Sequence, residues 1–254
     1  MLVACDIGNT NVVFAVFGNG RIVTSFRIHT DVTKTSDENF VTLNALFREN
    51  GIVPAEVSRT VISSVVPNLT RNMEKNLTRL FGIKPLIISL SSESGLVKES
   101  IPQELGSDLL CNLAYAHAKK PEENVMVVDF GTALTLSTVN RNGEVVGVAI
   151  APGLITAVNA LFGNTAQLPQ VGLKIPEKAM GRNSQESIRS GIMLGYAGLV
   201  SSLIERTEKE IGDKLYVIAT GGLSATIAEI IPRIDEVDAY HTLKGIELIA
   251  MLSR

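Results

Sequence analysis

Only two cysteines occur in the chain, Cys5 inside the first apolar run and Cys111 in a helical stretch. They are too few for a disulfide framework and their spacing matches no metal site, which points to a reducing compartment. A basic run is missing as well: the formal net charge is -3 and the pI about 5.7. That balance leaves no electrostatic footprint for nucleic acid or an anionic membrane, and no basic helix-turn-helix or zinc module is seen. No stretch of about 18 consecutive apolar residues appears, and "MLVACDIG" meets Asp6 without a basic leader region, so a cytoplasmic protein is expected. Two common phosphate cradles are also absent. There is no G-x-x-x-x-G-K-[ST] before a helix and no G-x-G-x-x-G opening a βαβ unit.

What the chain does have is apolar mass: 45% hydrophobic residues against 19% charged over 254 positions, enough for one large core or two of middling size. Strands are expected at 2–5, 12–17 and 22–28, the last two joined by "GNGR", an antiparallel meander. A helix follows through Phe40, Leu43, Leu46 and Phe47, then a strand at 59–66. Pro67 opens a second helix and Gly82 closes it, and "KPLIISL" reads as a strand. A helix is expected from Ser107 to Lys119, and the polar break "KPEEN" after it suggests domains at 1–118 and 119–254. Beyond the break the opening plan returns: an apolar strand, Asp-x-Gly-Thr, a second strand to 139, a turn at "NRNGE" and a third strand at 144–150. An internal duplication is the economical explanation. A long helix at 184–211, a strand ending in "ATGGL", and helices at 224–231 and 242–252 complete the reading. Gly191, Gly195 and Gly198 give the long helix a small-residue face for close packing, within or between subunits.

Turn residues such as those of Asp6-Ile7-Gly8-Asn9-Thr10 serve an ordinary hairpin without any chemistry. Its counterpart, Asp129-Phe130-Gly131-Thr132, follows an apolar strand in the other half, and the repetition favours function. Such a turn offers backbone N–H groups and small donors to phosphate, while its carboxylate can hold the accompanying cation. The paired turns are expected to grip a polyphosphate, with Gly8, Asn9, Thr10, Asn11 and Thr132 as donors. Gly221 and Gly222 of "ATGGL" lack side chains where an adenosine would approach the backbone.

These residues resemble the actin-like ATPases and sugar kinases, and within them the type III pantothenate kinases. The resemblance rests on an ordered set: "DIGNTN" at 6–11, "ELGSDLLCN" at 104–112, "DFGTALT" at 129–135, "APGL" at 151–154, "NALFGNTAQLPQV" at 159–171, "GRNSQESIRSG" at 181–191 and "ATGGL". It implies an α/β fold of two duplicated actin-like (ribonuclease H-like) domains, each a mixed sheet flanked by helices. It further implies ATP, Mg²⁺, a monovalent cation (K⁺ or NH₄⁺), pantothenate as acceptor and a homodimer whose site is completed at the interface. Asp108 of Gly106-Ser107-Asp108 takes the general-base position. Gly106, Ser107, Asp108 and Ser184 are then substrate-binding, Asp6 serves magnesium and Asp129 the monovalent cation. Asn183 and Glu186 also suit a capping box for the long helix. The sequence departs from the family pattern at Leu109 (usually arginine), at Ser137 (usually aspartate) and at Gly147-Val148 (often Gly-Gly). A leucine offers no fork for carboxylate or phosphate. A catalytically weakened nucleotide-binding regulator, or a kinase for another small alcohol, therefore stays open beside the pantothenate kinase.

Overall fold

The computed structural model describes residues 1–163 and 172–253; residues 164–171 of the quoted "NALFGNTAQLPQV" lie outside them. The chain divides into two compact units: Met1–Leu96, Ile101–Tyr115 and Thr242–Arg254 form unit 1, while Val97–Ser100 and Ala116–His241 form unit 2. A cut at 118/119 assigns residues 242–254 to the second domain, whereas contacts group them with the first.

Unit 1 is built on the strands β1 (Leu2–Ile7), β2 (Asn11–Gly18), β3 (Arg21–His29), β4 (Arg59–Ser64) and β5 (Leu86–Ile87), in the order β3-β2-β1-β4-β5. β1 pairs antiparallel with β2 and parallel with β4. Central position explains the continuous apolar runs: Val3, Ala4, Cys5 and Ile7 of β1 are all buried. The β2–β3 turn falls at Asn19-Gly20, both with positive φ (52° and 71°), as a tight hairpin requires. Helix α1 (Ser36–Glu49) starts on a capping box of Thr35 and Glu38, and α2 (Pro67–Phe81) has Pro67 in its first turn and ends at Gly82 in the left-handed conformation. Phe14, Phe26, Phe47 and Phe81 pack ring against ring at the centre of this core. The strand read from "KPLIISL" shrinks to Leu86–Ile87, paired with Val61 and Ile62.

Unit 2 repeats the plan with β6 (Val125–Phe130), β7 (Ala133–Val139), β8 (Val145–Pro152), β9 (Tyr216–Thr220) and β10 (Glu236–Val237), in the order β10-β9-β6-β7-β8. Again the first strand is antiparallel to the second and parallel to the fourth, so the duplication read from the motifs extends to the whole strand order. Helix α3 (Ser107–Lys119) belongs to unit 1 through Tyr115 and to unit 2 from Ala116. α4 (Leu154–Gly163) had no counterpart in the sequence reading.

Helix α5 (Ser184–Ile211) is long and apolar enough, by length and composition, to cross a membrane. Its Ser190, Met193, Ala197, Val200 and Ile204 are nevertheless buried, the last four in the unit 2 core, so one face of the helix packs on that core. A Cβ on Gly191, Gly195 or Gly198 would meet nothing within 4 Å. Close packing of that face against another described element is therefore not found. Helices α6 (Ser224–Ala228) and α7 (His241–Leu252) follow. Arg59 of β4 donates through Nη1 to the Ala250 carbonyl and through Nη2 to the Ser253 carbonyl at 2.9 Å, fastening the end of α7 within unit 1.

Candidate active site

In unit 1 the chemistry collects at the carboxyl ends of β1 and β4, where ligands of open α/β sheets bind. Asp6 stands opposite Val13 on one side and Ser63 on the other. The turn beyond it is closed by Gly8 N–H donating to Asn11 O at 3.0 Å, and Asn9 at its tip is exposed. Thr30 holds it from β3's end, its hydroxyl donating to Gly8 O at 2.6 Å and its N–H to Thr10 O at 2.9 Å. Nothing local in the sequence marks Thr30, since its partners lie about twenty residues away.

Asp108 sits in the first turn of α3, where its carboxylate accepts the Leu109 N–H at 2.8 Å and its own backbone N–H. Burial nonetheless dominates and raises its pKa above the ordinary aspartate value, with those N–H bonds opposing. The carboxylate folds back over Gly106, so that a Cβ there would displace Asp108 Oδ1. Cys111, fully buried one turn on, has its thiol pushed well up by desolvation and then by the charges of Asp6 and Asp108. Both carboxylates thus act on one point in unit 1. Ser107 is 8% exposed, its hydroxyl spent on β4. Leu109, where an arginine is usual, is also 8% exposed and so belongs to the core.

Unit 2 carries its own acidic turn. Asp129 stands opposite Thr135 and Thr220, and Gly131 and Thr132 at the tip are exposed. Gly221 has φ +91°, and a Cβ on it would stand 2.6 Å from Asp129 Oδ1 and 2.7 Å from the Phe130 carbonyl carbon. Here a glycine is obligatory on two counts. A second close approach involves Gly153 of "APGL": its N–H donates to Thr132 O at 3.0 Å, and a Cβ would come within 2.5 Å of that oxygen. The Thr156 hydroxyl donates to the same carbonyl at 2.7 Å. The motif contained Gly153 in plain view, but only the fold shows what it touches. Gly222 is exposed beside Gly221.

Ser184 is exposed as the first residue of α5. Asn183 accepts the Glu186 N–H at 3.0 Å as the cap, but the Glu186 carboxylate reaches the Arg182 N–H at 2.8 Å rather than the cap's own, so the expected capping box is half made. Ser137 is fully buried in β7 with its hydroxyl unpartnered, between Val127 and Val148.

Two units with one strand order, each bearing an acidic turn at the end of its central strand, define the actin-like ATPase and sugar-kinase class. Two solved structures share this fold. A Campylobacter jejuni protein described as a Baf-family transcriptional activator matches with TM-score 0.60 at 19% identity over 98% of this chain and 97% of its own. One described as an N-acetylglucosamine kinase, from Porphyromonas gingivalis, matches with TM-score 0.52 at 10% identity over 98% of each chain. The sequence profile of the type III pantothenate kinases covers residues 2–206, and the chain belongs to that family. The type III pantothenate kinase of Geotalea uraniireducens is 39% identical over 255 residues, spanning 100% of this chain and 99% of its own, and that of Myxococcus xanthus 38% identical over 250 residues, spanning 98% and 97%.

A kinase of this fold takes ATP with a divalent metal. The residues present fit: in unit 1 Asp6 is a hard oxygen donor at the end of β1, and in unit 2 Gly221 keeps side-chain bulk away from the Asp129 carboxylate. Among the described residues no group of three or more His, Cys, Asp and Glu side chains could hold a metal alone. Magnesium carried with a nucleotide needs only one or two carboxylates beside the phosphate oxygens.

Proposed function

We propose that this chain transfers the γ-phosphoryl group of ATP to the primary hydroxyl of pantothenate, giving 4'-phosphopantothenate for coenzyme A biosynthesis, with Asp108 as general base. The observation carrying this assignment is the desolvated carboxylate at the head of α3, its pKa displaced upward as proton-transfer groups are tuned. Asp108 takes the proton as the pantothenate oxygen bonds to phosphorus and the bond to ADP breaks; the proton then leaves to solvent. Bound magnesium supplies offset for the charge on the transferring group. Asp6 is assigned to that metal, and Gly8, Asn9, Thr10, Asn11 and Thr132 to phosphate. Gly221 and Gly222 lie against the nucleoside, Asp129 serves a potassium or ammonium ion, and Gly106 and Ser184 contact pantothenate.

The protein is further read as a cytoplasmic homodimer. What supports the dimer is the open, exposed face of α5 at Gly191, Gly195 and Gly198, beside Leu194 at 37% exposure. Light scattering of the purified protein at the monomer mass would overturn it.

The enzymatic test is ADP release with Mg²⁺, K⁺ and pantothenate, followed by mass spectrometry of products from a panel of pantothenate-like alcohols. Pantothenate-dependent release, lost in Asp108→Asn, is expected. Phosphorylation of a different alcohol only would move the substrate assignment, and nucleotide binding without product would favour a regulatory protein.

A further inference from the structure

Ser107 is a candidate substrate contact by resemblance, yet its buried hydroxyl is turned onto β4. Its Oγ lies 2.9 Å from Ser63 Oγ, 2.9 Å from the Ser64 nitrogen and 3.1 Å from the Ser64 carbonyl oxygen. A serine hydroxyl has one proton to give and two lone pairs to fill. The Ser64 N–H can only donate and the Ser64 carbonyl only accept. Ser107 thus accepts the Ser64 N–H, and its own proton serves the Ser64 carbonyl or Ser63, a hydroxyl pair in which either oxygen can donate. Ser63 in turn is hydrogen-bonded to the buried Cys111 thiol.

The other polar groups of α3's first turn bond inward. Asp108 is held by the N–H of Leu109 and its own, and Gly106 and Leu109 have no polar side-chain atoms. Where the Asp108 carboxylate stands is thus set by where the turn sits on β4. Resting on the reading of Asp108 as base, we infer that Ser107 is a positioning residue for Asp108, clamping the head of α3 to the end of β4, and not a substrate contact. A satisfied buried hydroxyl network rigidifies what it joins, and misplacement of a reacting group by about 1 Å can cost about 10²-fold in rate.

The experiment is steady-state kinetics of Ser107→Ala, Ser107→Thr and Ser63→Ala, with melting curves for each. Ser107→Ala is expected to lower kcat by on the order of 10-fold to 10²-fold with KM for pantothenate nearly unchanged. The acidic limb of its kcat profile should move to lower pH, because a loosened turn admits water to the carboxylate. Ser107→Thr should restore most of the rate, and Ser63→Ala, which keeps both Ser64 contacts, should fall between. If Ser107→Ala does not fold, the same kcat-only loss in Ser63→Ala carries the test. A raised KM with intact kcat, or kinetics like wild type, overturns the proposal. Turnover surviving in Asp108→Asn would instead break the base assignment on which it rests.

Discussion

Asp108 is under opposed demands from stability and from chemistry. Its folded pKa is raised, so the native state holds the proton more tightly than the unfolded chain does. Keeping the group ionised then costs stability at every pH above the folded value, and the cost disappears as pH falls through that value towards the ordinary aspartate range. Asp108→Asn is accordingly expected to lose about 10²-fold to 10⁴-fold in turnover while melting no lower than wild type near neutral pH. Any thermal advantage of the variant should shrink between about pH 7 and about pH 4. Scanning calorimetry across that range checks it, and a variant much less stable at neutral pH contradicts the burial argument. At Gly221 the constraint is steric: Gly221→Ala would strain a φ of +91° and press on Asp129 Oδ1. A loss of about 1–3 kcal/mol, read from denaturant unfolding, is expected. Single residues differ in how plainly they could be read. Asp6 and Asp129 were legible because strand-turn-strand order is local. Thr30 and Ser63 were not, since their partners are distant: 22 residues separate Thr30 from Gly8, and 44 separate Ser63 from Ser107.

Glycines separate two kinds of helix packing at the scale of elements. A Cβ on Gly245 of α7 would lie 2.6 Å from the Cys111 carbonyl carbon and 3.0 Å from its Cα, so α7 rests directly on the backbone of α3. On α5, Gly191 faces open space. Gly245→Ala should therefore destabilise by about 1–3 kcal/mol or more through overpacking. Gly191→Ala should stabilise the isolated protomer by up to about 1 kcal/mol through helix propensity, while weakening a dimer that closes on this face. Urea unfolding of the two variants decides whether the signs differ. Helical spacing tells which face a residue occupies but not what crosses it, so the sequence alone does not separate Gly191 from Gly245. Elements with strong local signals were legible: α2 between Pro67 and Gly82, and α5 behind Asn183. β10 was not, being a two-residue parallel pairing whose existence depends on a neighbouring strand rather than on its own pattern, and β5 was legible as a strand but not in its two-residue length.

For the molecule as a whole, the repeated Asp-x-Gly-Thr order revealed the duplication, and both sheets obey it strand for strand. Grouping α7 with unit 1 was beyond sequence reading, because it depends on contacts such as Arg59 with the Ala250 and Ser253 carbonyls, 191 and 194 residues away. Arg59→Met keeps the aliphatic stem but strands those carbonyls. It should cost about 1–3 kcal/mol, measurable as a lower melting temperature. α3 is one continuous helix that runs from unit 1 into unit 2, so calorimetry should show a single transition. Two separate endotherms would show that this helix does not couple the units.

That arrangement also fixes an order of events during synthesis. Residues 242–254 leave the ribosome only after all of unit 2 has been made, so the first half of the nascent polypeptide must wait, with the seat of α7 bare, while the second half is translated. Translation stalling beyond the codon for residue 240 would leave that early half incomplete and exposed to proteases and holdase chaperones.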